Sequence, residues 1–302
     1  FPYTTLFRLI VGAGGLGHPV ALYLAAMGLS HIKIVDGDHV HETNLHRQVL
    51  FNDADIGRNK AEALSEKIEK KGPSLSVACE PTYLTKATAL QLFTEYDVIF
   101  DCTDNFETKF LINDVCALYD KPMIYAAVSQ FEGQIGVFWK SKGACYRCLY
   151  ETLPRTRIQS CAEAGVVGPV VGMMGSFQAL EGLKVLVGND HEFRPLVGRL
   201  NYFDFCDHSF RNLQIARRES CPCHRSDFHE ALIADIATQN CSLQSNEILV
   251  DVREDEEWKQ YHIEGSLHLP LSRLEKGFRP RLSVDQRIVL ICQIGARARR
   301  AQ

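Results

Sequence analysis

The sequence Leu9-Ile-Val-Gly-Ala-Gly-Gly-Leu-Gly17 decides the fold of the N-terminal part of this chain. An apolar, β-branched segment leads into a G-x-G-x-x-G spacing, and a helical pattern from Pro19 to Met27 follows. Glycines let the backbone approach a phosphate, and the first turn of a helix offers free N–H groups and a partial positive charge. The stretch therefore predicts a strand, a phosphate-binding turn and a helix. The glycines of the turn are Gly12, Gly14 and Gly17.

A carboxylate expected to bind ribose follows this turn. Asp36 lies about 20 residues after it, within Asp36-Gly-Asp38, at the spacing expected for a carboxylate that holds a ribose hydroxyl. The glycine turn and Asp36 together fit a nicotinamide-dependent oxidoreductase as well as an ATP-using enzyme. The sequence up to this point therefore predicts a nucleotide ligand without choosing the reaction.

Two further polar segments favour ATP cleavage. One is Asn44-Leu-His-Arg-Gln48, with Lys60 beyond it, and the other is Asp101-Cys-Thr-Asp-Asn105 at the end of an apolar strand. Cleavage between the first and second phosphates of ATP requires cations for the charged transition state and a carboxylate for Mg²⁺. We expect Arg47 and Lys60 to be the cations and a carboxylate of the second segment to hold Mg²⁺.

Two cysteine pairs predict a structural zinc site. They are Cys145-Tyr-Arg-Cys148 and Cys221-Pro-Cys223, the second followed by His224. Two thiolates close together on a turn can occupy two corners of a tetrahedron, and two such pairs complete a Zn²⁺ site. The second pair is one residue shorter than C-x-x-C, so Cys223 and His224 are alternatives for the fourth ligand. The candidate set is Cys145, Cys148, Cys221 and Cys223.

From Leu9 to His224 the chain resembles the ThiF/MoeB/HesA family, bacterial relatives of ubiquitin-activating enzymes. The resemblance rests on the glycine turn, Asp-Gly-Asp-His-Val, Asn-Leu-His-Arg-Gln, Asp-Cys-Thr-Asp-Asn and the cysteine pairs. It implies a symmetric homodimer that adenylates the C-terminal glycine of a ubiquitin-fold sulfur-carrier protein. It also implies that ATP contacts a larger set than the glycine turn alone. That set comprises Gly15, Asp36, Asp38, Thr43, Asn44, Arg47, Lys60, Asp104 and Asn105, and the resemblance implies that Asp104 holds Mg²⁺.

Cys161 is a separate candidate, within a segment rich in glycine that leads into a helical pattern from Met173 to Val187. A thiolate near a helix N-terminus has a lowered pKa and is a better nucleophile. By resemblance, Cys161 belongs to a mobile loop that attacks the acyl-adenylate or exchanges sulfur with the carrier. The alternative is a small packed side chain beside a glycine hinge.

The last segment resembles rhodanese-like sulfurtransferases through three ordered motifs: 248–254, 261–270 and 288–297. Cys292 follows an apolar strand, where backbone N–H groups of the next turn would stabilise a thiolate or persulfide. We expect an upstream sulfur donor, such as a cysteine desulfurase, to load it. Few residues follow Cys292, so this rhodanese-like domain is expected to be incomplete.

The organisation predicted is α/β throughout. Residues 1–224 should form a doubly wound, mainly parallel Rossmann-like domain, and 225–302 a small rhodanese-like domain. A net charge of −4 gives no nucleic-acid or membrane signature. No stretch looks long and apolar enough to span a bilayer, and no signal peptide opens the chain. The odd count of 11 cysteines suits reduced thiols, a metal and catalysis in a cytoplasmic protein.

Three other functions remain open at this level. The rhodanese-like part could be vestigial in an adenylyltransferase, the chain could be a nicotinamide-dependent oxidoreductase, or it could be a scaffold that binds nucleotide without catalysis. The oxidoreductase leaves the cysteine pairs and Asp104-Asn105 unexplained. By resemblance, the fusion to a rhodanese-like segment favours molybdopterin or thiouridine synthesis as the pathway.

Overall fold

The structure is a computed structural model, and it describes residues 6–29, 31–72, 75–152, 165–188, 193–225, 227–228, 247–255, 258, 266–278 and 287–291. The chain divides into two compact units, Phe1–Ile236 and Ala237–Gln302. The division falls after the boundary predicted at residue 224, which remains a prediction.

An eight-stranded sheet forms the centre of the first unit, in the order β3-β2-β1-β4-β5-β6-β7-β8. The first five strands of this order are parallel, and the last three join them in antiparallel fashion. The prediction of a mainly parallel, doubly wound sheet is therefore confirmed. The strands are β1 (Arg8–Val11), β2 (Ile32–Val35), β3 (Val77–Glu80), β4 (Val98–Asp101), β5 (Met123–Ser129), β6 (Glu132–Phe138), β7 (Arg199–Asp204) and β8 (Ser209–Gln214).

Helices cover both faces of this sheet, because the parallel strands are apolar on both sides and must be covered on both. One buried cluster contains side chains of α1, α2 and α6, and a second contains those of α3, α4 and α5. The helices are α1 (Gly17–Ala26), α2 (Lys60–Glu69), α3 (Lys86–Leu92), α4 (Phe106–Leu118), α5 (Tyr146–Leu149) and α6 (Gly168–Val187).

Polar side chains fix the starts of the helices that matter for the site. The Asn59 side chain accepts hydrogen bonds from the backbone N–H groups of Ala61 and Glu62, at 2.8 and 3.2 Å, and so caps α2. Asn105 caps α4 through Thr108 N, at 2.8 Å. These caps satisfy backbone donors that have no partner within the helix. They also set the positions of Lys60 and of the residues just before α4.

Helix α6 corrects one expectation from the sequence. Its 20 residues are long and apolar enough, by length and composition, to cross a membrane, so the expectation that no such stretch exists was wrong. Half of this helix is nevertheless buried within the protein, where it packs against α1, β5 and β6. Gln178 and Glu181 on its buried side make hydrogen bonds to neighbouring backbone groups. These contacts are those of a core helix in a globular unit.

The second unit contains a parallel three-stranded sheet in the order β10-β9-β11. At the end of β9, Arg253 Nη2 and Nε donate to Oδ2 of the fully buried Asp251, at 2.6 and 2.9 Å. Trp258 stacks on His268 at 4.4 Å between ring centroids. The elements are β9 (Glu247–Asp251), β10 (Leu267–His268), α7 (Leu271–Glu275) and β11 (Arg287–Ile291).

Candidate active site and metal centre

A cavity of about 680 Å³ opens at the carboxyl ends of β1, β2 and β4. Strand order reverses between β1 and β4, and open α/β sheets bind their ligands at this point. The cavity brings together residues that are far apart in the sequence, and the ones predicted from the sequence come from five separate segments. Those that the sequence singled out are Gly12, Gly14, Gly15, Asp36, Asp38, Thr43, Asn44, Arg47, Lys60, Asp104 and Asn105.

Close backbone contacts require two glycines of the turn, Gly12 and Gly17. Gly12 has φ +103°, and a Cβ there would lie 2.6 Å from the carbonyl oxygen of Cys102. A Cβ on Gly17 would lie 2.2 Å from the carbonyl oxygen of Gly12. Gly17 therefore closes the turn and does not line the cavity, whereas Gly12, Gly14 and Gly15 do. The result is exposed backbone at the N-terminus of α1, where a phosphate can bind.

Asp36 lies at the end of β2 with its carboxylate already oriented. Ala13 N donates to Asp36 Oδ2 at 2.7 Å, and Asp38 N donates to Oδ1 at 2.8 Å. Burial raises the pKa of Asp36, although Lys60 and the two backbone N–H groups act in the opposite direction. A carboxylate held this way on the wall of the cavity can accept hydrogen bonds from ribose hydroxyls.

Lys60 is a nearly buried ammonium at the start of α2. Its Nζ lies 2.7 Å from Asp38 Oδ2, and the Tyr83 hydroxyl donates to Asp38 Oδ1 at 2.9 Å. Burial would raise the pKa of Asp38, but the charge and hydrogen bond of Lys60 lower it overall. An ammonium has three donors, so Lys60 can keep Asp38 and still bind a phosphate oxygen.

The segment from Thr43 to Gln48 forms another wall. Arg47 Nη1 donates to the carbonyl oxygen of Thr43 at 3.0 Å, which leaves other guanidinium N–H groups for a ligand. Gln48 is 2% exposed, and its Oε1 has no hydrogen-bond partner among the described residues. Unpaired polar atoms on a cavity wall are costly without a ligand or water, so this wall fits a polar ligand.

The two aspartates of Asp101-Cys-Thr-Asp104 have different roles. Asp101 is fully buried and accepts from Lys109 Nζ at 2.9 Å and from Thr103 Oγ1 at 2.6 Å. Asp104 is exposed at the cavity, and within the described part of the chain its carboxylate has no hydrogen bond or ion pair. An unpaired carboxylate fits a Mg²⁺ ion, which prefers oxygen ligands and often takes only one or two from the protein.

The cysteine pairs meet beside α4, on the face of the sheet that α3, α4 and α5 cover. Neighbouring ligand atoms lie 3.8 Å apart for Cys145–Cys148, 3.4 Å for Cys145–Cys221 and 3.5 Å for Cys148 Sγ–His224 Nε2. These four ligand atoms all lie within 4.8 Å of one another. The sequence put Cys223 in this set, whereas the structure groups His224 with the other three.

The family assignment follows from the match of residues 5–223 to the ThiF family. The chain belongs to the ThiF family. Residues 232–302 match the rhodanese-like domain, as the sequence motifs predicted. These matches, together with the parallel sheet, confirm the family resemblance drawn from the sequence.

Curated proteins similar to this chain include enzymes named for adenylyl transfer, and two of those below are also named for sulfur transfer. A Mycobacterium tuberculosis protein, probable adenylyltransferase/sulfurtransferase MoeZ, is 36% identical over 317 residues, which cover 97% of this chain and 80% of that protein. The Thermus thermophilus sulfur carrier protein adenylyltransferase is 41% identical over 71% of this chain and 80% of its own length. The MOCS3 protein of Culex quinquefasciatus is 40% identical over 70% of this chain. The match covers 48% of MOCS3, so this chain spans about half the length of that protein. The expectation of an enzyme with both activities agrees with these relatives.

Solved structures agree on the fold. Escherichia coli MccB, in a crystal structure with ATP, superposes with a TM-score of 0.63 at 22% identity, over 72% of this chain and 67% of that one. At this identity the likeness extends to the fold alone.

Two predicted catalytic residues, Cys161 and Cys292, lie outside the described residues. Strand β11 ends at Ile291, immediately before Cys292 in the sequence.

The cavity of this ThiF-family chain also contains residues that were not predicted from the sequence. Tyr83, Lys109 and Gln134 all line it. Tyr83 follows the end of β3, so its position after a parallel strand was a usable signal. Gln134 lies on an antiparallel strand, where it accepts from Tyr125 Oη at 3.2 Å, and nothing in its local sequence marks it.

Proposed function

We propose that this chain uses ATP to adenylate the C-terminal glycine of a ubiquitin-fold sulfur-carrier protein, and that its rhodanese-like unit then supplies sulfur to form a thiocarboxylate. The observation that carries the proposal is the cavity, where Asp36, Lys60 and Asp104 face one space of about 680 Å³. Family membership and the names of the relatives support the same reaction.

The first step joins the carrier to AMP. A carboxylate oxygen of the terminal glycine attacks the α-phosphorus of ATP, and the bond to the β-phosphate oxygen breaks to release pyrophosphate. Arg47 and Lys60 would neutralise charge on the phosphate oxygens as it develops. Mg²⁺ held by Asp104 would supply further positive charge to those oxygens when bound.

The second step uses the cysteines. The outer sulfur of a persulfide on Cys292, loaded by an upstream donor such as a cysteine desulfurase, attacks the carbonyl carbon of the acyl-adenylate, and AMP leaves. Attack of the Cys161 thiolate on the sulfur of Cys292 then releases the thiocarboxylate and leaves a disulfide, which an external thiol reduces. ATP and reduced thiols suit a cytoplasmic location, which remains a prediction.

The first experiment is ATP–pyrophosphate exchange with each candidate sulfur-carrier protein from the same genome. A carrier that lacks its terminal glycine is the control for the substrate. Lys60→Met and Asp104→Asn should each lower exchange about 10²-fold, because each removes charge that stabilises the transition state. Lys70→Met is the matched control, since Lys70 lies exposed at the end of the same helix, outside the cavity.

The outcomes separate the alternatives. Exchange with one carrier names the partner and its pathway, including the expected molybdopterin route. No exchange with any carrier, in protein shown to bind ATP, supports the scaffold and contradicts the proposal. Cys292→Ala should keep exchange and abolish thiocarboxylate formation; unchanged formation of thiocarboxylate would indicate a vestigial rhodanese unit. Cys161→Ala should keep exchange and slow sulfur transfer.

We also propose that the chain acts as a homodimer through an apolar groove between α1 and α6. The groove has a volume of about 590 Å³ and shares Gly15 and Arg47 with the nucleotide cavity. Exposed apolar side chains from the 49–50 turn and α6 line it, and they are Val49, Met173, Phe177 and Leu180. A second copy is the occupant that the family resemblance implies.

The oligomeric state tests this interface. Light scattering after size-exclusion chromatography should give a dimer for the wild type and a monomer for Leu180→Asp. Leu213→Asp is the matched control, because Leu213 is equally exposed (45% for both) but lies on β8, outside the groove. A monomeric wild type, or dissociation by both substitutions alike, would reject the groove as the dimer interface.

A further inference from the structure

The metal centre contains five candidate ligands for a tetrahedral ion, which takes four. The candidates are Cys145, Cys148, Cys221, Cys223 and His224. We infer that this centre is a Cys₃His site, completed by His224, and that Cys223 is a thiol held outside it by α4. The inference does not depend on the proposed function.

The distances match a tetrahedral zinc ion. With Zn–S about 2.3 Å and Zn–N about 2.0 Å, tetrahedral geometry requires roughly 3.8 Å between sulfurs and roughly 3.5 Å between a sulfur and a nitrogen. The structure has 3.4 and 3.8 Å between sulfurs and 3.5 Å from Cys148 Sγ to His224 Nε2. These three distances agree with ligands of one ion, and the remaining pairs of the four atoms lie within 4.8 Å.

The backbone explains why His224 belongs to the set. Cys148 N donates to the carbonyl oxygen of Cys145 at 2.9 Å, and His224 N donates to that of Cys221 at 3.0 Å. Both turns thus join a first ligand to a residue three positions later. Residues Pro222–His224 form a 3₁₀ turn, in which side chains three positions apart lie on the same side. The backbone from Cys221 to His224 therefore has the same hydrogen-bonded turn as the C-x-x-C segment from Cys145 to Cys148.

Cys223 lies two positions after Cys221 and interacts with α4 instead. Asn113 Nδ2 donates to Cys223 Sγ at 3.4 Å, and Cys223 Sγ donates to Asp114 Oδ1 at 3.8 Å. A metal-bound thiolate has no proton to donate and would place its charge beside that carboxylate. Asp114 also pairs with Arg147, at 2.6 and 2.7 Å. The side chain of Cys223 is also adjacent to Cys145 and Cys221, so a Cys₄ site is the competing outcome.

The same helix holds the first cysteine pair in place. Asn113 Oδ1 accepts from Tyr146 N at 2.7 Å, and Arg147, between the two cysteines, is fixed by Asp114. Outer contacts of this kind orient metal ligands. Asn113 and Asp114 therefore act on both turns: they hold the C-x-x-C segment in position and bind the thiol of Cys223.

X-ray absorption on the full-length, zinc-loaded protein tests the ligand set directly. The wild type should give three sulfur neighbours at about 2.3 Å and one nitrogen at about 2.0 Å. Cys223→Ser should leave both the spectrum and the zinc content unchanged. Four sulfurs in the wild type, or loss of zinc from Cys223→Ser, would overturn the inference.

A set of His224 variants keeps the result interpretable if one of them folds poorly. His224→Ala should bind zinc at least about tenfold more weakly in competition with a chromophoric chelator. His224→Cys should restore tight binding with four sulfur neighbours, because it converts C-x-x-H to C-x-x-C. Retained tight binding by His224→Ala, or a wild-type chain that binds no zinc, would contradict the assignment.

Discussion

A methyl group on Gly17 would lie 2.2 Å from the carbonyl oxygen of Gly12, whereas one on Gly14 would have its nearest neighbour, Gln48 Nε2, at 3.9 Å. The two glycines belong to the same phosphate turn, yet only Gly17 is sterically required there. The structure thus separates a glycine needed for packing from one that leaves backbone open to a ligand.

We predict that Gly17→Ala lowers the free energy of unfolding by roughly 1–3 kcal/mol, because the backbone must move to admit the methyl group. Gly14→Ala should be neutral or slightly stabilising, since it adds no clash and restricts the unfolded chain. Urea unfolding followed by circular dichroism measures both. Equal losses for the two variants would show that the packing at Gly17 is not what limits stability.

His18 predicts a pH dependence of stability. Burial lowers its pKa to about 3, although a hydrogen bond with the backbone of Ala13 acts in the opposite direction. Its Nδ1 accepts from Leu50 N at 3.1 Å, as a neutral imidazole can. The unfolded chain, with a His pKa of about 6.5, binds a proton that the folded chain excludes. The stabilising contribution is therefore complete above about pH 6.5 and is lost as the pH falls towards about 3.

The change in the free energy of unfolding per pH unit can be measured. Between pH 6 and pH 4 His18 should lower the free energy of unfolding by up to about 1.4 kcal/mol per pH unit. His18→Asn places an amide oxygen near the position of Nδ1 and cannot take up a proton, so its stability should depend less on pH over this range. Urea midpoints for both proteins at pH 8, 6, 5 and 4 give the comparison. Parallel curves would contradict a titrating role for His18.

At the scale of elements, α4 connects three parts of the first unit. Its cap is Asn105, next to the candidate Mg²⁺ ligand, and its first turn carries Lys109. Its later residues Asn113 and Asp114 contact the turn that carries Cys145 and Cys148. Lys109 Nζ joins Asp101 of β4 at 2.9 Å to the carbonyl oxygen of Ala126 on β5 at 3.0 Å. This ion pair therefore fixes the ends of two neighbouring strands below the cavity.

We predict that Lys109→Met destabilises the protein by about 3–5 kcal/mol, because it leaves the carboxylate of Asp101 buried without its partner. The double variant Asp101→Asn/Lys109→Met should recover part of this loss, since the buried charge is also removed. Chemical unfolding of wild type, single and double variants measures the difference. A double variant no more stable than Lys109→Met would mean that the buried charge is not the cause.

At the scale of the whole molecule, the described residues of each unit form buried clusters of their own. The metal centre lies entirely within Phe1–Ile236, and the buried cluster of the second unit consists of Val250, Val252 and Leu269. A property that depends on the metal should therefore belong to the first unit alone.

Metal removal tests this independence. A strong chelator should lower the melting temperature of the first unit and reduce ATP–pyrophosphate exchange, because zinc crosslinks two distant turns of that unit. Formation of persulfide on Cys292 from a sulfur donor should be unaffected. Re-addition of zinc should restore exchange. Loss of both activities in parallel would contradict independent units.

Much of the fold, and the meeting of the candidate nucleotide-binding residues at one cavity, could be predicted from the sequence, because the signals are local. A strand, a glycine turn and a helix lie within twenty residues, and Asp36, Lys60 and Asp104 follow strands or begin a helix at the same edge of a parallel sheet. Local steric and hydrogen-bonding rules fix such segments, and the geometry of parallel strands places their carboxyl ends together.

The tertiary structure alone decided which side chains complete each site. Lys109 and Gln134 reach the cavity only because α4 and an antiparallel strand pack there, so their local sequence carries no sign of it. In Cys221-Pro-Cys-His the sequence left two ligands open, and the structure places His224 beside the other cysteines and Cys223 against Asn113. The physical reason is that a ligand set is a relation between distant segments. Spacing along the chain limits its members, and packing selects among them.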